Sequence, residues 1–207
     1  VTITTYEELK VAVQDYSKRS DILSLVDTFI DIAESAMYSN PDCNLRAQQM
    51  EHRATGSTSI TTRYVAFPTR YLEMRQVKLN LAEGDYILEA RTPESMSISS
   101  AAGIPTQFCM TNQVELNCIS DAVYTIEFLH YRRLAPLTAA APTNDILTNY
   151  PQVYLYGALF ALYQWSLQPD MEQKYYNAFI KAIQGVNNQS RRGRFHQPAI
   201  RSRERRP

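Results

Sequence analysis

The chain has 207 residues, 44% of them hydrophobic and 20% charged, and its formal net charge is zero. That balance excludes a disordered chain and fits one ordinary domain, or one domain carrying a modest insertion. The longest apolar runs are too short and too interrupted to cross a bilayer, and Val1-Thr2-Ile3-Thr4 lacks the basic stretch and apolar core of a secretory signal, so no membrane partner is expected.

Thr5 is expected to cap a helix from Tyr6 to about Lys18, with Glu8 completing a capping box and Leu9, Val13 and Tyr16 on its buried side. Ser20 is placed to cap a second helix of about 18 residues. Its inner side would be Ile22, Leu25, Val26, Phe29, Ile32, Ala33, Ala36 and Met37, which recur at three- and four-residue intervals, and Asn40-Pro41 would end it. From about Met50 the period changes. Ser59–Phe67 is rich in β-branched and aromatic residues, and shorter strand candidates follow at Tyr86–Ala90, Gln107–Met110, Val114–Cys118 and Tyr124–Tyr131. In the last of these, Tyr124, Ile126, Phe128 and His130 alternate with Thr125, Glu127, Leu129 and Tyr131. Asn112-Gln113 and Gly84-Asp85 supply turns, and a short helical piece is expected near Thr69 to Arg75.

A Pro/Ala/Thr-rich connecting segment spans residues 134 to 148. Helicity resumes at Pro151, an allowed first-turn proline, with Val153, Leu155, Ala158, Leu159, Leu162 and Trp165 marking a helix barely polar on any side. Such a helix belongs at the centre of a bundle. Pro169 opens another, with Asp170 and Glu172 in its first turn, Tyr175, Tyr176, Phe179 and Ile183 on its apolar side, and Gly185 or Asn187-Asn188 at its end. The expected fold is therefore α+β. A four-helix bundle formed by the N- and C-terminal helices (residues 1–50 and 134–190) carries an inserted, mainly antiparallel β region (51–133), followed by an extended basic C-terminal arm (191–207).

Three segments in this order resemble the head–tail connector (adaptor) proteins of tailed bacteriophages, the group that includes the tail accessory factor and tail tubular protein A of short-tailed phages. They are Ile3–Leu9 with the long second helix and the stretch Leu45–Glu51, then Phe67–Arg75, then Asn149–Leu159 where the chain returns to helix. The resemblance covers roughly residues 2 to 185. It implies a structural virion protein, made in the host cytoplasm and located in the neck between head and tail. The subunit would belong to a twelve-fold homo-oligomeric ring beneath the portal protein, around the channel through which DNA leaves. A downstream tail or nozzle protein would be the next partner.

No catalytic constellation accompanies that role. His52, His130 and His196 are far apart in sequence and lack metal-binding spacing, and no phosphate-binding glycine loop or nucleophile elbow is present. Cys43, Cys109 and Cys118 read as reduced, partly buried thiols, so neither cofactor, metal nor enzymatic activity is expected. Fourteen tyrosines suit half-wet subunit interfaces, or reflect compositional drift. A ring needs a heterologous contact, one side of a subunit against the other side of its neighbour. Arg46, Glu51, Arg53, Glu73 and Arg75 are the candidate subunit contacts, with a solvated Glu73–Arg75 pair as the plainer reading.

Charge is unevenly spread. Seven of the 21 basic residues fall within 191–207 against the single acid Glu204, so the remainder carries 14 basic and 20 acidic residues. Arg191, Arg192, Arg194, Arg201, Arg203, Arg205 and Arg206 permit three uses: a solvated tail, a nonspecific contact with DNA phosphates, or a docking arm for the portal. Phe195, His196, Pro198 and Ile200 add apolar anchors that phosphate binding would not require. The competing readings of the whole chain are a head-completion or tail-terminator protein of the neck, and a small DNA-binding packaging accessory protein.

Overall fold

The computed structural model describes residues 2–195, with side chains through Gly193. Two compact units share the chain, one built from the residues up to Gln49 and those from Ala135 on, the other from Met50–Leu134. The first holds the helices and the second all the strands among the described residues, an α+β fold with an inserted β region.

In the helical unit, α1 spans Tyr6–Ser17 behind a complete capping box. The Thr5 hydroxyl accepts from the Glu8 N–H at 3.3 Å, and the Glu8 carboxylate accepts from the Thr5 N–H at 3.0 Å. Leu9 and Val13 are buried, but Tyr16 is 56% exposed instead of lining the inner side. Helix α2 is Val26–Ser39, 14 residues long, and begins later than the expected cap at Ser20. Residues 21–25 turn instead, with the Leu25 and Val26 N–H groups both donating to the Ile22 carbonyl at 2.8 and 3.1 Å, and both oxygens of Asp21 are taken by the Arg19 guanidinium at 3.0 and 2.6 Å. The turn still buries Ile22, so the apolar pattern survives without the helix, while Ile32 lies off the buried stripe of Val26, Phe29, Ile30, Ala33 and Met37.

Helix α4 (Pro151–Trp165) is the centre of this unit, with nine of its 15 residues buried and contacts to α1, α2 and α5 (Pro169–Phe195). Its Trp165 end is half exposed, with the ring 5.9 Å from Phe29 and Arg19 stacked over it. Gly157 is what permits the close crossing. A Cβ there would stand 2.9 Å from the Ala33 Cβ of α2 and 3.0 Å from the Phe179 ring of α5.

The connecting segment 134–148 is not plain loop. It contains the start of α3 (Asp145–Asn149), whose N-cap Asn144 accepts from the Leu147 N–H at 2.9 Å. The Asn144 amide donates to the Tyr154 hydroxyl at 2.7 Å, and that hydroxyl donates to Glu34 at 3.3 Å. Glu34 also accepts from the Leu137 N–H at 3.0 Å. Burial raises the pKa of Glu34 despite those donors, and burial first, then the Glu34 charge, raises that of Tyr154. A short polar chain thus fastens the segment to α2 and α4.

Helix α5 does not end at Gly185 or Asn187-Asn188 but continues to Phe195. The side chain of Asn187 accepts from the Arg46 N–H and donates to the Asn44 carbonyl, both at 2.8 Å, and the Ser190 hydroxyl accepts from the Gln48 N–H at 3.0 Å. Tyr176 donates to Asn40 at 3.3 Å and to Asp42. Residues 40–48 therefore run along α5, and their backbone occupies the polar side chains that would otherwise favour a helix end.

The inserted unit has two four-stranded sheets. One is antiparallel throughout, in the order β1 (Glu51–Ser57), β8 (Thr125–Arg132), β3 (Tyr71–Leu81), β4 (Gly84–Ile87). The other runs β2 (Tyr64–Val65), β7 (Val114–Leu116), β6 (Gln107–Met110), β5 (Glu89–Ala90), with only β5 parallel to its neighbour. Val65, Phe108, Val114 and Leu116 from one sheet and Val77, Leu79, Ile126 and Phe128 from the other form one core.

Strands β6, β7 and β8 fall where the pattern places them, and the alternation in β8 buries Ile126, Phe128 and His130. Ser59–Phe67 yields only the two-residue β2, because Ser59 and Thr62 side chains accept the N–H groups of Thr61 and Tyr64 in bends. The expected helical piece at 69–75 is the start of β3, the longest strand. Register shifts at Tyr71/Glu73 and Met74/Gln76 break its two-residue alternation, and Arg70 enters it from the left-handed region at φ 56°. The β3–β4 turn lies at 82–83, with Gly84 at φ 130°.

Gly157→Ala is expected to destabilise the protein by about 1–3 kcal/mol through overpacking against Ala33 and Phe179. That exceeds the roughly 1 kcal/mol gained from helix propensity. A denaturant midpoint at or above the wild-type value would contradict the close crossing.

Candidate functional site

The outer face of the β1-β8-β3-β4 sheet carries a row of charge beside the apolar Leu129 and Ile87. Its strands place Arg53, Glu127, Lys78 and Asp85 on the side opposite the core residues Ile126, Phe128, Val77 and Leu79. These four side chains join across all four strands. Arg53 pairs with Glu127, Lys78 reaches the same carboxylate at 3.6 Å, and Lys78 also bonds Asp85 at 2.8 Å. Lys78 is held above its ordinary pKa, first by the hydrogen bond to Asp85.

Of the other charged candidates, Glu51 and Arg75 form an ion pair that spans β8, with the guanidinium over the Tyr131 ring at 5.6 Å. Glu73 is exposed at the bulged start of β3. Arg46 belongs to the helical unit, where its guanidinium bonds the Leu45 carbonyl at 2.8 Å. The sheet thus brings Glu51, Arg53, Glu73 and Arg75 into one region, and Arg46 is separate in kind.

The structure also joins two residues that sequence distance sets apart. His52 and His130 are directly paired between β1 and β8, with ring centroids 5.7 Å apart. His130 is fully buried, its Nδ1 lies 3.4 Å from the Phe128 carbonyl, and its Nε2 has no hydrogen-bond partner among the described residues. Burial lowers the pKa of both rings. The thiols of Cys43, Cys109 and Cys118 are pushed up by burial, away from the reactive thiolate. No group of three or more His, Cys, Asp or Glu among the described residues is placed to hold a metal ion, and no described helix is long and apolar enough to cross a membrane.

The arginine-rich end begins inside α5, so an extended arm starting at residue 191 is replaced by helix as far as Phe195. Arg191 and Arg192 are exposed on its last turns, where positive charge complements the carbonyl end of the helix. His196, Ile200, Arg201, Arg203, Arg205 and Arg206 lie outside the described residues.

Residues 4–203 match the family described as SU10 adaptor protein. The chain belongs to that family. No curated protein matches the sequence. The family is one of phage head–tail connectors and adaptors, so the adaptor has a structural connecting role in the phage virion and interacts with other virion structural proteins. The match runs through both units and the basic end of α5.

Sequence reading named Arg53 but missed Glu127, Lys78 and Asp85. The alternation in β8 already put Glu127 on the polar side. Its partners depend on which strands flank β8, and nothing local encodes that.

Two outcomes are expected. Asn187→Ala and Ser190→Ala each leave a backbone N–H without its acceptor, at about 1–3 kcal/mol each. Amide exchange should quicken at residues 46 and 48 and along the end of α5; unchanged exchange would show that these bonds do not hold the helix. His130 binds its proton less readily when folded, so its neutral form supports the fold fully above about pH 6.5 and that support is lost as pH falls below it. Denaturant midpoints from about pH 7.5 to about pH 5 should fall more steeply for wild type than for His130→Leu. Equal slopes would assign the pH dependence elsewhere.

Proposed function

We propose that the adaptor forms a ring of twelve copies in the virion neck, joins the portal to the downstream tail or nozzle component, and lines the channel through which DNA leaves the head. In this reading the helices of residues 1–50 and 134–190 make a four-helix bundle, 51–133 is an inserted domain, and 191–207 docks the portal. Arg191, Arg192, Arg194, Phe195, His196, Ile200, Arg201, Arg203, Arg205 and Arg206 would supply the docking contacts. Arg46, Glu51, Arg53, Glu73 and Arg75 would lie at contacts between neighbouring copies.

The observation that supports docking is the basic end of α5. Exposed Arg191 and Arg192 project from a helix that Asn187 and Ser190 fasten to residues 44–48. Such anchoring limits the entropy lost when the arginines engage a partner. A guanidinium fork suits carboxylates of an acidic protein surface as well as phosphates, and the apolar Phe195 and Ile200 favour the protein.

A chain ending at Ser190 is expected to keep the wild-type thermal midpoint, and to lose only the helical circular dichroism of residues 191–195, while failing to attach to portal-containing heads. Attachment at the wild-type level would overturn docking through this end. Binding of DNA by the full chain, abolished by the same truncation and by moderate salt, would transfer these arginines to the phosphate role.

A further inference from the structure

The charged face of the inserted unit has a direction. Read across the strands, the signs alternate: Arg53 on β1, Glu127 on β8, Lys78 on β3, Asp85 on β4. The series begins with a guanidinium on one edge strand and finishes with a carboxylate on the other. Both terminal side chains remain open to solvent, at 61% and 55% exposure. The exposed charges that end the series are therefore opposite in sign, while Glu51, on the same side of β1 as Arg53, is taken by Arg75 within the subunit.

The strands that carry them are open in the same sense. β1 pairs with β8 along all seven of its residues without a bulge and contains no proline; its charges are Glu51, taken by Arg75, and the exposed Arg53. β4 is exposed at every position and presents Tyr86 and Ile87 at 43% and 58% exposure. Neighbours in this sheet are antiparallel throughout, so β1 and β4 run in opposite directions. A second copy set beside the first in the same orientation would bring its β1 antiparallel to the first copy's β4. The other sheet offers nothing comparable, since its edge strands β2 and β5 have two residues each.

We infer that the partner of this sheet is a second copy of the same chain, with the β1 edge of one subunit extending the sheet from the β4 edge of the next and Arg53 meeting Asp85 across the junction. This deepens the ring reading and rests on it. The contact is heterologous, which is the kind that closes rings. Backbone pairing would supply the attachment, while the terminal charges would set its sense and disfavour edge-to-edge pairing of like strands, where guanidinium would face guanidinium or carboxylate would face carboxylate.

The test uses assembled particles carrying cysteine pairs and a bismaleimide of about 10 Å reach, which spans directly opposite and diagonal neighbours. One variant carries Arg53→Cys with Asp85→Cys. A second carries Thr55→Cys with Glu83→Cys and leaves the terminal charges in place. Within one subunit each pair is separated by three strand spacings across the sheet, about 14 Å, and by four residues along it, about 13 Å, and the resulting span of roughly 19 Å exceeds the reagent and two cysteine side chains together. A ladder of adaptor multiples is expected from at least one double variant, and none from wild type or from any single substitution. Linkage to a different virion protein, or no linkage in particles whose necks show a ring of this chain in micrographs, overturns the inference and leaves the ring reading standing. Particles without such a ring overturn both.

Discussion

The helical unit depends on the close crossing at Gly157. With no side chain there, α2 reaches α4 through Ala33 and α5 reaches it through Phe179, so one residue on the central helix sets two packing distances. The fully buried residues Phe179, Ile30, Met37 and Tyr154 are held around that crossing. A helix apolar on nearly all sides cannot remain at a surface, which is why α4 recruits neighbours from both ends of the chain. The chain then transmits this fixed position outward. α5 leaves the crossing, takes up residues 40–48 through Tyr176, Asn187 and Ser190, and ends in arginines. The connecting end is thereby built on a rigid element.

Much of this was legible locally. The Thr5–Glu8 box and the proline at the start of α4 are signals contained within a few residues, and both elements begin where those signals stand. The strands β6 to β8 were legible for a similar reason, since their apolar positions alternate without interruption. What escaped was set by distant partners. Glu-His-Arg-Ala-Thr-Gly-Ser is too polar to announce a strand, yet it forms β1 because β8 supplies a ladder and Gly56 leaves room for Phe128, whose ring would stand 3.3 Å from a Cβ there. β3 was obscured by its bulges. The end of α5 was misplaced because Asn187 terminates a helix only while its side chain is free to act locally, and here it is taken by the backbone of residues 44 and 46.

The same distinction applies to the charged residues. That Arg53 and Arg75 are exposed cations can be read from composition, but their assignments to Glu127 and Glu51 require the strand order. Exposed ion pairs contribute roughly 0–1 kcal/mol each, so four charges on a solvated sheet face do little for the stability of the fold. Their arrangement matters more for the choice and orientation of a neighbour. The buried histidine beneath the same sheet is the reverse case. His130 contributes shape and burial at neutral pH, and an unsatisfied ring nitrogen is the accompanying penalty.

The pairing of Glu51 with Tyr131 has a kinetic meaning as well. It joins the first residue of β1 to the end of β8, so a folded insert presents its entry and exit side by side. Helices α2 and α4, separated by the whole of Met50–Leu134, must otherwise find each other by closing that long loop. Prior folding of the insert replaces it with a short one, saving roughly 1 kcal/mol of loop-closure entropy. The nascent chain also releases α2 well before α4 exists. An insert that folds first would then act as a clasp, holding the early helices in reach of the central one until it emerges.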